Sequence, residues 1–127
     1  LVVPVVTDAD RRGLAGLAAE IARLATAARS RTVTPAELRE GTFTITNYGA
    51  IGGRFATPII RPGESGIMGF GAIRPRPIVV DGAVEARPTL PVVFSADHRL
   101  IDGDLATAFQ EYVIARVREP LSLLLEV

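Results

Sequence analysis

One histidine occurs in the chain, His98, within Phe94-Ser-Ala-Asp-His-Arg-Leu-Ile-Asp-Gly103. An apolar run precedes it, and Asp102-Gly103 after it opens a new helical pattern. An imidazole at the end of a strand, with a carboxylate close by at a helix entrance, suits proton abstraction near neutral pH. No other side chain in the sequence is as well suited to that work. Asp102 has a second reading as the N-cap of the helix that follows, since an aspartate there accepts from the free N–H groups of the first turn.

Composition narrows the chemistry further. The chain has 127 residues, enough for one domain or a large piece of one, burying roughly two thirds of its unfolded surface. Fourteen basic residues balance fourteen acidic ones, and without a basic cluster this speaks against nucleic-acid binding. There is no cysteine, which excludes disulfide scaffolds, thiolate metal sites and a cysteine nucleophile. A lone histidine leaves only carboxylates to complete a metal site, so no metal is expected. Every basic residue is an arginine; without lysine there is no Schiff base, no P-loop lysine and no lysine-linked lipoyl or biotin on this chain. No apolar segment reaches the length of a membrane span.

The elements that must position His98 follow from periodicity. Leu1-Val-Val-Pro-Val-Val reads as a strand. Thr7 or Asp8 opens a long helix with Leu14, Leu17, Ala18, Ile21, Leu24, Ala25 and Ala28 on one face. Thr34-Pro-Ala-Glu37 has the form of a capping box and predicts a short helix ending near Glu40-Gly41. From Thr42 to Thr46 the period falls to two, as in a half-buried strand, with the hydroxyls of Thr42, Thr44 and Thr46 on one face. A glycine-rich loop, Asn47 to Gly53, follows; it is no phosphate cradle, because it neither matches a Walker pattern nor opens a helix.

Ser65 to Ile73 reads as a strand whose glycines at 66, 69 and 71 mark close approach of another backbone or a ligand. Pro77 to Arg87 is a hairpin turning on Asp81-Gly82. Thr89 to Ser95 is a buried strand leading into His98. The last helix runs from Asp102 to about Arg118, is broken at Glu119-Pro120, and gives way to an apolar tail, Leu121 to Val127, with one more helical turn. Helix, four or five strands and helix together define a two-layer α/β (α+β) fold with a mixed sheet.

Asp97-His-Arg-Leu-Ile-Asp-Gly103 resembles the His-x-x-x-Asp-Gly motif of the dihydrolipoamide acyltransferases, the core components of 2-oxo acid dehydrogenase complexes. Gly41 to Gly53, Thr57-Pro-Ile-Ile60, Glu64-Ser-Gly-Ile-Met-Gly69, Thr7-Asp-Ala-Asp10 and Thr34-Pro-Ala-Glu-Leu38 resemble other blocks of that family, in the same order. The resemblance implies a chloramphenicol acetyltransferase-like mixed sheet with helices on one side. Residues 1–127 would be the C-terminal part of the catalytic domain, without a lipoyl or peripheral-subunit-binding domain.

It also implies a reaction, in which an acyl group passes from S-acyl-dihydrolipoamide to coenzyme A. By resemblance, His98 is the general base on the coenzyme A thiol, Thr46 holds the oxyanion, Asp102 supports the site, and Phe55 and Met68 line the coenzyme A path. The lipoyl group would arrive on a separate domain. The partners implied are a homotrimer whose neighbouring copies share the active site, a cube of trimers or larger shell, and the decarboxylase and dihydrolipoamide dehydrogenase components. The setting is a bacterial cytoplasm or a mitochondrial matrix. Phe94-Ser-Ala-Asp97 and Arg118-Glu-Pro-Leu121 lean toward the branched-chain enzymes. Asp97 and Arg99 are read as structural, joined by charge-assisted hydrogen bonds. The alternatives are a catalytically silent core subunit and a related coenzyme A-dependent O-acyltransferase.

Overall fold

The computed structural model describes residues 1–124, so the end of the apolar tail lies outside the described residues. The chain forms two compact units, residues 1–41 and 42–124.

In the first unit the expected strand at Leu1–Val6 does not form. Pro4 has no N–H to give to a ladder, and a backbone bond from Val5 N–H to the Glu37 carbonyl, 2.7 Å, holds this segment instead. The helix α1 spans Leu14–Ser30, beginning later than the Thr7-Asp8 start. Asp8 is left-handed at φ 50°, Ala9–Arg11 makes a 3-10 turn, and Arg12 is extended with its Nε donating to the Thr7 carbonyl. That interruption moves the helix start to Gly13, which carries no capping side chain. At the other end Arg31 turns left-handed, and its N–H and that of Thr32 close back on the Ala27 and Ala28 carbonyls, satisfying the last free acceptors. Of the expected apolar face, Leu24 is buried while Leu14 and Ile21 are exposed.

The capping box is present: Thr34 N–H and Oγ1 both donate to Glu37 Oε2, and Glu37 N–H returns to Thr34 Oγ1. Glu37 Oε1 accepts from Arg23 Nη2, which also reaches Glu20. The Thr34 N–H first, then Arg23, holds the Glu37 carboxyl down at about 2. The helix it opens is only a 3-10 turn, Ala36–Leu38.

The second unit is built on a three-stranded sheet in the order β1 (Thr44–Asn47), β2 (Gly66–Phe70), β5 (Val92–Ala96). β1 runs parallel to β2 and β5 runs antiparallel to it, so the sheet is mixed as expected. The central strand β2 carries the core: Gly66 to Gly69 are all buried. Its glycines admit neighbours that a side chain would block. A Cβ on Gly66 would fall 2.8 Å from the Phe94 ring, and one on Gly69 2.8 Å from the Tyr48 ring. The room at Gly66 is filled by Phe94 and Phe43, and Phe109 packs on both, the three ring centroids lying 5.1–6.0 Å apart. These rings join α2 (Gly103–Arg118) to the sheet, and each such pair adds about 1 kcal/mol beyond its buried area. Gln110 Nε2 adds a bond to the Val92 carbonyl.

β3 (Arg74–Val80) and β4 (Ala83–Thr89) form a separate two-stranded hairpin. Asp81 and Gly82 both have positive φ, 50° and 82°, as a two-residue mirror-image turn requires. After α2, Pro120 cannot continue the helix and a 3-10 turn spans Pro120–Leu124.

Candidate active site

His98 lies in the turn between β5 and α2, and its side chain is exposed. Asp97 builds that turn. Its N–H donates to the Ser65 carbonyl at 2.9 Å, extending the β2–β5 pairing by one step, while its carbonyl accepts from Leu100 and Ile101. Its carboxylate takes the Arg99 N–H at 3.0 Å and the Arg99 guanidinium at 2.9 and 2.6 Å. Those bonds from Arg99, the side chain first, hold the Asp97 carboxyl at about 2. The expected structural pairing of Asp97 with Arg99 is therefore in place, and it fixes the backbone on both sides of His98.

Asp102 Oδ1 accepts from Leu105 N–H at 2.9 Å, so it is the N-cap of α2. Among the described residues no hydrogen bond joins it to His98. The capping reading is met, while support of the imidazole is not visible within one chain.

Thr46 sits half-buried on β1, opposite Gly69. Thr44 points the same way, but its hydroxyl donates to the buried carboxylate of Glu64, which also faces Arg61 Nη1 at 3.7 Å. Among the described residues the Thr46 hydroxyl has no such partner. The alternation of Thr42 to Thr46 shows the shared face, but it cannot tell which hydroxyl is occupied. Glu64 was missed as a partner because it stands on the next segment.

The register decides whether Thr46 and His98 meet. Thr46 faces Gly69, Gly69 faces Val93, and β5 continues from there to Ala96 before His98. At about 3.3 Å per residue and about 4.8 Å between strands, the two are offset by on the order of 10 Å along the sheet and again across it. They lie toward opposite ends of β2, and one chain does not bring them together.

Of the two proposed pocket residues, Phe55 is 71% exposed, and the Arg54 and Arg76 guanidinium carbons sit 5.0 and 5.3 Å from its ring centroid. Met68 is 2% exposed on the central strand, part of the packed layer and closed to a ligand in this structure. Asn47, Gly49, Gly71, Ala72 and Ile73 line an open groove of about 470 Å³ at the Thr46 end of the sheet. Among the described residues no three His, Cys, Asp or Glu side chains gather as metal ligands, and no helix is long and apolar enough to cross a membrane.

His98 thus stands exposed in the turn between the last strand of a mixed sheet and a capped helix. Residues 1–125 match the family model of 2-oxoacid dehydrogenases acyltransferase (catalytic domain), and the chain belongs to that family. It is 43% identical over 126 residues to the dihydrolipoyllysine-residue succinyltransferase component of the 2-oxoglutarate dehydrogenase complex from Bartonella vinsonii subsp. berkhoffii, covering 99% of this chain and 31% of that protein. The mitochondrial counterpart from Bos taurus is 42% identical over 126 residues, covering 99% of this chain and 28% of that protein.

Among solved structures, the Azotobacter vinelandii dihydrolipoamide acetyltransferase superposes with a TM-score of 0.90 at 35% identity, over 97% of this chain and 51% of that one. The cubic core of a pyruvate dehydrogenase multienzyme complex superposes with a TM-score of 0.90 at 34% identity, over the same shares. The chain thus spans about a third of the curated relatives and about half of these solved chains. These relatives are two succinyltransferases, an acetyltransferase and a pyruvate dehydrogenase complex core, and none supports the lean toward the branched-chain type.

Proposed function

We propose that this chain is the C-terminal part of an acyltransferase catalytic domain that moves an acyl group from S-acyl-dihydrolipoamide to coenzyme A within a 2-oxo acid dehydrogenase complex. His98 takes the proton from the coenzyme A thiol as the sulfur attacks the thioester carbonyl. A tetrahedral oxyanion forms, and the Thr46 hydroxyl donates to it. Collapse breaks the bond to the dihydrolipoamide sulfur, which leaves with the proton from the imidazolium. A thiol is mostly protonated at pH 7, so the base is needed to make the nucleophile. An oxyanion donor of this kind is worth about 3 kcal/mol.

The observation that carries the reading is the pair of groups toward opposite ends of β2: an exposed imidazole on a hydrogen-bonded turn, and a threonine hydroxyl with no hydrogen-bond partner among the described residues. Their separation supports a site completed by Thr46 of a second copy, hence a trimer. Large exposed apolar side chains, Ile45, Ile59 and Leu100 among them, support further protein contact. In the Azotobacter enzyme a serine, a histidine and an asparagine were investigated for their role in catalysis. The intervals between those three residues are the intervals between Thr46, His98 and Asp102. Asp102 caps α2 and, in the assembled site, steadies the imidazole.

The lipoyl group arrives on a separate domain, and the decarboxylase and dihydrolipoamide dehydrogenase components complete the complex. The cubic core among the similar structures supports an assembly of trimers. Bacterial and mitochondrial relatives support a cytoplasmic or matrix setting. For the acyl group, the succinyltransferase relatives favour succinyl; the branched-chain alternative rests on Phe94 to Asp97 and Arg118 to Leu121 alone.

The test is complementation. His98→Ala and Thr46→Val forms of the complete protein are each strongly impaired alone, the second by roughly a hundredfold. Unfolded and reassembled together, they regain transfer, because some interfaces pair an intact His98 with an intact Thr46 from a neighbour. No recovery in verified mixed assemblies would overturn the shared site. Succinyl, acetyl and isobutyryl donors assayed with the parent name the acyl group.

A further inference from the structure

Two aspartates in the chain are followed by glycine: Asp81-Gly82 at the tip of the β3–β4 hairpin and Asp102-Gly103 at the start of α2. An aspartyl carboxyl in such a pair is open to attack by the next backbone nitrogen, because no side chain stands over that nitrogen. Asp8, Asp10, Asp97 and Asp104 are each followed by a residue that carries a side chain. Asn47 precedes Tyr48, and its Oδ1 is occupied by the Ala50 N–H at 3.2 Å.

The fold holds the two pairs very differently. Asp102 Oδ1 accepts from the Leu105 N–H at 2.9 Å, and Gly103 is already helical. Attack there would break the cap and disturb the first turn of α2. Asp81 is exposed, and among the described residues no hydrogen bond or ion pair holds its carboxylate. Its φ of 50° is a conformation that costs a residue with a Cβ more than it costs glycine. Gly82 is exposed as well, with nothing within 4 Å of the place a Cβ would take. The hairpin gives this tip little support. It is a two-stranded unit apart from the main sheet, an arrangement of marginal stability by itself. Val79 and Val84 beside the turn are each 72% exposed. The last pair of the ladder, Val80 with Ala83, therefore opens locally at small cost, and opening frees the strained Asp81 backbone.

From this contrast we propose that Asp81-Gly82 is a modification site, where aspartate converts spontaneously to isoaspartate and becomes a substrate for an isoaspartyl-specific carboxyl methyltransferase. The Gly82 nitrogen attacks Cγ of the protonated Asp81 carboxyl. A bond forms between nitrogen and Cγ, the nitrogen gives up its proton, and the carboxyl hydroxyl leaves as water. The cyclic imide then takes up water at the original Asp81 carbonyl, whose bond to the Gly82 nitrogen breaks. That carbonyl becomes a free α-carboxyl, and the chain now runs through the Asp81 side chain. Water is lost and regained, so no oxidant or other reactant enters. The product carries an extra methylene in the backbone, which a two-residue mirror-image turn does not accommodate, so the modification frays the hairpin from its tip.

The test is to age the complete protein at neutral pH, either folded or in urea, and to map its peptides by electron-transfer fragmentation, which distinguishes isoaspartate from aspartate. In the folded protein isoaspartate at 81 should outrun that at 102 about tenfold, the worth of the cap that Asp102 must first give up. In urea the two should accumulate at similar rates. Folded, aged protein should also accept methyl groups from the methyltransferase and S-adenosylmethionine, and Asp81→Glu should abolish that labelling, since the longer side chain closes the ring poorly. Equal accumulation at 81 and 102 in the folded protein would overturn the proposal. So would accumulation at 81 in urea alone, or labelling that survives Asp81→Glu.

Discussion

Replacing Gly49 with alanine probes the loop that sets Thr46 against the groove. A Cβ at Gly49 would fall 2.6 Å from Ala72 N and closer still to the Gly71 carbonyl, whereas real Cβ contacts essentially never come under 3.0 Å. Its neighbours are backbone atoms, so no side chain can rotate away. The strain must open the junction between residues 49–53 and 71–72, where Ala72 N–H meets the Gly53 carbonyl. Overpacking of a tight site costs about 1–3 kcal/mol, and a lost backbone bond adds about 1 kcal/mol. A total of about 3 kcal/mol follows, more than a hundredfold in the folding equilibrium. Gly103→Ala is the control, since nothing lies within 4 Å of its Cβ and alanine favours helix. Urea unfolding of the complete protein should show Gly49→Ala well below the parent and Gly103→Ala level with it or above. A Gly49→Ala protein within about 0.5 kcal/mol of the parent would refute the close-approach argument.

Asp102→Ala should lose about 1 kcal/mol of stability with the α2 cap, while Asp102→Asn keeps it; equal unfolding midpoints for all three would deny the cap. The Asp97 carboxyl, lowered from 3.8 to about 2 by Arg99, stabilises the folded turn above pH 4, and this is lost as pH falls from about 4 to 2. An NMR titration should place its midpoint near 2 and move it upward in Arg99→Gln; a midpoint of 3.8 in the parent would contradict the pairing. Thr44→Val removes a donor from the buried Glu64 carboxylate and should cost about 1–3 kcal/mol, measured by thermal unfolding, with Thr44→Ser near the parent.

Much of the fold is written locally. Asp81-Gly82 announces the hairpin because both residues tolerate positive φ, and Asp102-Gly103 announces α2 through its cap. The start of α1 is not legible, because Thr7-Asp-Ala-Asp10 satisfies a 3-10 turn as well as an α-helical one. The glycines of β2 signal close approach, but only the packed sheet shows phenylalanine and tyrosine rings in the space they leave. Periodicity puts Thr44 and Thr46 on one face, yet the occupied hydroxyl depends on Glu64, brought in by the β1–β2 pairing. Met68 was expected in the coenzyme A path because its block resembles the family's, but its place on the central strand buries it. The meeting of Arg54 and Arg76 over the Phe55 ring escapes sequence reading because one stands in a loop and the other on β3.

The most direct test of the account is the rate of acyl transfer from S-succinyl-dihydrolipoamide to coenzyme A by the complete protein and its His98→Ala variant. A loss of several orders of magnitude with the assembly intact is the predicted result. A variant that keeps the parent's rate would contradict His98 as the base and with it the mechanism.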